Sequence, residues 1–238
     1  MRGRKNTAKL RPDCFVTGSD TEIGKTLVSS ALLYALAQRG LRVVGMKPVA
    51  AGAKLIKGDW HNDDADRLNA ASSVRLPTAL TTPYLMRTAA APHIAAAQEQ
   101  IVISAAHIQD CYAKLRLRAD AVVVEGVGGF CVPLNHEFDT AKLAQQLALP
   151  VILVVGMRLG CINHALLTAE AIAARGLSMA GWVANTVHDA MPYFSENVQT
   201  LEARLRAPLL GIIPRLAQPD AQFAAAHLNS NFDVNFFT

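Results

Sequence analysis

GSDTEIGKT, Gly18 to Thr26, matches the pattern G-x-x-x-x-G-K-[ST], with Gly18, Gly24, Lys25 and Thr26 in the four fixed places. CFVT (Cys14–Thr17) precedes it as a short apolar, β-prone run. LVSSALLYALAQRG follows it, with apolar residues at Leu27, Val28, Ala31, Leu32, Ala35 and Leu36, which is helical spacing. A strand, a glycine loop and a helix start together form an anion cradle, because free backbone N–H groups and the helix dipole face a phosphate chain. Lys25 adds a point charge near the outer phosphates, and the Thr26 hydroxyl suits magnesium. An ordinary glycine turn explains neither the lysine nor the threonine.

Outward from this loop, short apolar runs alternate with helical patterns. Strands are predicted at Cys14–Thr17, Arg42–Met46, Ala121–Glu125, Val151–Val155, Met179–Ala184 and Pro208–Ile213. Helices are predicted at Lys25–Gln38, Ser104–Leu117, Thr140–Leu147, Cys161–Ala174 and Phe194–Arg206. The helix from Cys161 places Ile162, Ala165, Leu166, Ala169, Ile172 and Ala173 on one face. Continuous Val/Ile/Leu strands between helices predict an α/β fold, a mostly parallel sheet with helices on both faces. Ala50–His61 reads as a loop, a short helix starts near Asn62, and 78–91, among Pro77, Pro83 and Pro92, reads as irregular.

The 238 residues fit one α/β domain over 13–238. Hydrophobic content of 51% with 18% charged residues is that of a globular chain. The net charge of +4 does not point to nucleic acid. Five basic residues fall in residues 1–12, which hold no acid, and the remainder carries 18 Lys and Arg against 19 Asp and Glu. Residues 1–12 therefore read as a basic extension. No basic stripe with interleaved aromatics occurs. No apolar run suits a secretory signal or a membrane span, so a cytoplasmic protein is expected. Cys14, Cys111, Cys131 and Cys161 are widely spaced in apolar contexts and read as reduced packing residues. The histidines do not fall at zinc-ligand spacing.

Several residues at strand ends could carry chemistry. Lys47 lies before Pro48, which keeps it out of helix. It is either a second cation for a γ-phosphate or carbamate, or a solvated lysine. Asp63, Asp64 and Asp66 either match the charge of a helix start or include a magnesium ligand. Glu125 ends the strand AVVVE beside Gly126, Gly128 and Gly129, the pattern of a second magnesium ligand next to a closely approaching backbone. Gly160, Cys161 and Asn163 open a helix. Its N–H groups could take a carboxylate with help from Asn163, or Asn163 could simply cap it. Asn185 either reads the edge of a base or sits in a turn.

In this order GSDTEIGKT, KPVAAG, APHIAAAQE, VVVEGVGG, VILVVGMRLGCINHALLTAE, GWVANTV and APLLGIIPRL resemble the dethiobiotin synthetase family over about residues 13–217. The resemblance implies a P-loop NTPase fold and a homodimeric ligase. Such a ligase closes the ureido ring of dethiobiotin from 7,8-diaminopelargonate, carbon dioxide and ATP, with magnesium. Carried over, Thr21, Lys25 and Lys47 would act in catalysis. Glu22, Ile23, Gly24, Lys25, Thr26, Leu27, Glu125, Gly128, Asn185, Pro214, Arg215 and Leu216 would hold the nucleotide, and Thr26, Asp64 and Glu125 the magnesium. Lys47 and Ala51, with Gly160, Cys161 and Asn163 of the partner subunit, would hold the substrate at the dimer interface. Two positions depart from the family: Ala51 stands where Ser or Thr is usual, and Asn197 where a tyrosine is often found.

Other readings are a cobyrinate-type diamide synthase, a nucleotide switch or partitioning ATPase, and a small-molecule kinase. The first lacks room for its glutaminase domain. The D-x-x-G and N-K-x-D strings of GTPase switches are absent, and Ser19–Asp20 stands where partitioning ATPases carry a signature lysine.

Overall fold

Six parallel strands form the central sheet, in the order Leu209–Ile213, Met179–Thr186, Val151–Met157, Cys14–Gly18, Ala121–Glu125, Val43–Met46. The computed structural model describes residues 11–188, 191–218 and 220–228. Most of the basic extension, residues 1–10, lies outside them, but Arg11 is held by Asp13 and by the Ala119 carbonyl.

All six strands fall where the apolar runs predict, with ends shifted by up to two residues. Their side chains alternate between two cores. Phe15, Val151, Leu153 and Val155 face one side, packing on helices Ala105–Arg116, Thr140–Leu147, Cys161–Ala174 and Phe194–Arg204. Cys14, Val16, Ile152 and Val154 face the other, with helix Lys25–Gln38 and Leu68. Burial on both faces is why these strands read as unbroken apolar runs.

Strand order fixes the position of the site. From Cys14–Gly18 the chain moves outward to Val43–Met46, returns to insert Ala121–Glu125, and then builds on the opposite side from Val151. The reversal flanks the P-loop strand, and ligands in such sheets bind past the carboxyl ends at that switch point. Register puts Val16 opposite Glu125 and Gly18 opposite Val154, so the P-loop and Glu125 reach the same rim.

Several expectations are corrected. The loop at 50–61 contains an antiparallel hairpin, Lys54–Ile56 with Asp59–His61, turning at Lys57 and Gly58, both at positive φ. The stretch expected to be irregular contains helix Thr78–Thr81 and strand Tyr84–Leu85, which pairs with Val49–Ala50. Helix Pro92–Gln98 was not expected. Of the cysteines, all free, Cys131 is exposed rather than packed. Helix Cys161–Ala174 is covered only in part: Ala165 and Ile172 are buried, Ala173 is exposed, Leu167 is exposed, and Leu159 just before it is 97% exposed.

Candidate active site

A cleft of about 560 Å³ opens over the carboxyl rim of the sheet. Thr21, Glu22, Gly24, Lys25, Thr26 and Leu27 form its floor, Lys47, Asp64 and Gly128 one wall, and Asn185 with Pro214, Arg215 and Leu216 the other. Ile23 and Glu125 are buried just beneath.

The loop conformation follows from its glycine. Gly24 has φ +90°, and a Cβ there would stand 2.2 Å from Asn185 Nδ2. Only glycine lets the chain turn into the helix at that point. Asn185 Nδ2 donates to the Ile23 carbonyl at 2.8 Å and so clamps the loop to the adjacent sheet. Asn185 lies inside a strand, 5% exposed, and is not a turn residue. Its Oδ1 is buried without a hydrogen-bond partner among the described residues. Lys25 Nζ donates to the Asp20 carbonyl at 2.9 Å, while the Asp20 carboxylate accepts from Thr21 N–H and pairs with Arg158.

Lys47 is not a solvated lysine. It is 3% exposed, and its Nζ lies 2.6 Å from Glu125 Oε1, 2.8 Å from Asp64 Oδ2 and 3.3 Å from the Gly126 carbonyl. Thr26 Oγ1 donates within reach of the same two carboxylates, at 2.7 Å from Asp64 Oδ1 and 2.9 Å from Glu125 Oε1. Glu125 is 0% exposed, and its Oε2 has no partner among the described residues. The Asn62 side chain caps helix Asp63–Ala71 by accepting from Asp64 and Ala65 N–H, which aims Asp64 at Thr26. Asp66 turns away to His61 and Asp63 is exposed, so only one of the three aspartates serves the cleft.

The charges set the protonation states. Burial pushes Lys47 toward its neutral form, but the charges and hydrogen bonds of Glu125 and Asp64 outweigh it, and its pKa lies above the ordinary lysine value. Burial likewise works against ionised Asp64, yet Lys47 and Thr26 hold its carboxyl below the usual range. Lys25 is lowered to about 8, first by burial and then by the Lys47 charge.

Thr26, Asp64 and Glu125 present only oxygen donors, and the Glu125 Oε2, buried without a hydrogen-bond partner among the described residues, is an acceptor open to a further ligand. The set fits magnesium. No cluster of three or more His, Cys, Asp and Glu side chains occurs among the described residues; this site has two carboxylates and a hydroxyl.

Ala51, Gly160, Cys161 and Asn163 do not line the cleft. Ala51 gives its carbonyl to Asn62 Nδ2 at 3.1 Å. The Cys161 side chain is buried and its N–H donates to the Arg158 carbonyl, so neither faces outward freely. Gly160 is the N-cap, with no side-chain cap, so Asn163 does not cap the helix; it is exposed in the first turn. Asn197 Oδ1 lies 4.0 Å from Cys161 Sγ, which brings that departure to the same helix start. Sequence reasoning missed Arg67, Val127, Thr186 and Val187 as lining residues. Arg67 was traceable, since it follows Asp64 by three residues on a helix and shares its face.

Comparison with known proteins bears on the family and the fold. A family model described as an AAA domain matches residues 13–222. The chain is 59% identical over 221 residues to the ATP-dependent dethiobiotin synthetase BioD of Janthinobacterium sp. (strain Marseille), covering 91% of this chain and 94% of that one. It is 56% identical over 220 residues to the enzyme of the same name from Ralstonia nicotianae (strain ATCC BAA-1114 / GMI1000), covering 92% and 96%. Among solved structures, the MinC:MinD cell division protein complex of Aquifex aeolicus superposes with a TM-score of 0.55 at 14% identity, covering 90% of this chain and 85% of that one. A ParA family ATPase from Chlorobium tepidum TLS gives 0.54 at 14%, covering 87% and 86%. These likenesses show a P-loop NTPase fold and no more. The two synthetases share sequence with this chain along nearly its whole length, so the chain belongs to the ATP-dependent dethiobiotin synthetase family.

Proposed function

We infer that this protein is an ATP-dependent dethiobiotin synthetase, a cyclo-ligase of biotin biosynthesis that joins 7,8-diaminopelargonate and carbon dioxide at the expense of ATP. The observation that carries the site assignment is the buried Lys47, held between Glu125 and Asp64 over a complete P-loop.

The reaction brings anions together. One substrate amine adds to carbon dioxide and loses a proton, giving a carbamate. A carbamate oxygen attacks the γ-phosphorus and the bond to ADP breaks. The second amine then attacks the carbonyl of this carbamic–phosphoric anhydride, and phosphate leaves as the ring closes. No protein nucleophile is required, and catalysis is positioning with charge stabilisation. Lys47, protonated across the neutral range, is a fixed positive charge and not a base. Lys25 and the N–H groups at the helix start receive the phosphates, next to Thr21. Thr26, Asp64 and Glu125 would hold magnesium, which on binding neutralises phosphate charge. The unpaired Asn185 Oδ1 is an acceptor suited to the exocyclic amine of adenine, beside Pro214–Leu216.

The substrate tail carboxylate is assigned to the helix start at Gly160–Asn163 of a partner subunit. The exposed Leu159, just before a half-covered helix outside the cleft, and Leu167 on that helix support a homodimer with its active sites at the interface. The described residues from 13 on act as one domain, and residues 229–238, which the sequence also assigns to it, lie outside the described residues. No helix among the described residues is long and apolar enough to cross a membrane, and a cytoplasmic enzyme fits this reading.

The test is ATP hydrolysis by the purified protein. Phosphate release that requires both the diamine and bicarbonate supports a ligase. Release without the diamine fits a switch, and phosphorylation without bicarbonate fits a kinase.

A further inference from the structure

We propose that Arg67 is a nucleotide-binding residue, its guanidinium clamping the phosphates next to Thr26 and Leu27 that ATP and ADP share. This rests on the nucleotide occupying the cleft as assigned above.

Packing fixes the direction of the side chain. Leu68 is buried, and Gly45 opposite has no room for a Cβ, which would meet Leu68 Cβ at 2.9 Å. With Leu68 facing the sheet and Asp64 facing Thr26, Arg67 comes to the cleft wall on the side of helix Lys25–Gln38. It has no ion pair or hydrogen bond to any described residue. Two neighbouring carboxylates are engaged, Asp64 with Lys47 and Thr26 and Asp66 with His61, and the third, Asp63, is exposed and forms no ion pair with Arg67 among the described residues.

Such a group adds to the positive charge facing the phosphates, beside magnesium and the cleft-lining Arg215. Lys47 is matched by two carboxylates before any substrate arrives, and Lys25 is one charge against a triphosphate and a carbamate. An unpaired, planar guanidinium in the same cleft can take two phosphate oxygens at once. In the first turn of the P-loop helix the earliest backbone bond to close is Val28 N–H to Gly24 carbonyl. The N–H groups of Thr26 and Leu27 thus remain open to the inner phosphates, in the cleft that Arg67 also lines.

Equilibrium binding of magnesium ATP and magnesium ADP to wild type, Arg67→Ala and Arg67→Lys tests this, with Lys25→Ala as a control. The expected result is a roughly ten- to hundredfold loss for both nucleotides in Arg67→Ala. Arg67→Lys, which keeps the charge without the fork, recovers part of it, and the diamine KM at saturating ATP stays at the wild-type value. ADP affinity in Arg67→Ala within twofold of wild type, while Lys25→Ala loses binding, overturns the assignment of Arg67 alone. Lys25→Ala binding as tightly as wild type overturns the underlying nucleotide site, and this inference with it.

Discussion

Lys47→Ala strands a carboxylate. Glu125 is fully buried at the end of a central strand, and Lys47 Nζ at 2.6 Å is its only cationic partner in the ion pairs of the described residues. Asp64 is 45% exposed and can turn to water, so the cost falls chiefly on Glu125. Removing one member of a buried pair costs about 3–5 kcal/mol, most of it the penalty of leaving the other charge unmatched. In a chain of this size each kcal/mol lowers the melting midpoint by about 2–4 °C, so a fall of about 6–20 °C is expected. Urea unfolding of wild type and Lys47→Ala, without nucleotide at pH 7, measures the free-energy loss, and thermal unfolding the fall in midpoint. Lys47→Ala/Glu125→Gln, which neutralises the stranded group, is expected to recover at least half of the loss, while ligase turnover stays abolished in both variants. A loss below about 1 kcal/mol in the single variant, or no recovery in the double, refutes the buried-pair account.

Lys25 provides a pH signature. Its folded pKa of about 8, against an ordinary 10.5, means the unfolded chain binds this proton more tightly. The resulting stability penalty is full below pH 8 and is relieved as pH rises from 8 to 10.5. Phosphate favours the charged lysine, so ATP affinity measured by calorimetry falls as pH rises through 8, and Lys25→Arg flattens that dependence. Gly24→Ala forces a side chain against Asn185 at a positive φ; nucleotide affinity falls more than tenfold by fluorescence titration, and an unchanged affinity contradicts the clamp. Asn163→Ala raises the diamine KM more than the ATP KM, and equal effects reject the tail-carboxylate role.

The parts of the fold that read clearly in the sequence are those with a local cause. Ile152 and Val154 face one core, Leu153 and Val155 another, so the strand shows as a continuous apolar run. The glycine, lysine and threonine of the P-loop carry their spacing within nine residues. The pairing of Val49–Ala50 with Tyr84–Leu85 depends on partners 35 residues apart over two-residue strands, too short to leave a pattern. The hairpin at 54–61 buries neither face, so Leu55 and Trp60, both exposed, do not show the alternation of a half-buried strand. The same reason hid the state of Lys47. Its partners lie 17 and 78 residues away, and only the fold brings them to hydrogen-bonding distance. Asn185 was legible as a strand end, but its bond to Ile23 spans 162 residues.

The central claim is that a carbamate oxygen attacks the γ-phosphate in this cleft. A single turnover with 18O-labelled carbon dioxide, 7,8-diaminopelargonate and magnesium ATP, read by mass spectrometry, tests it directly. The account predicts dethiobiotin together with inorganic phosphate carrying one labelled oxygen. Unlabelled phosphate, or no cyclic urea, would contradict it.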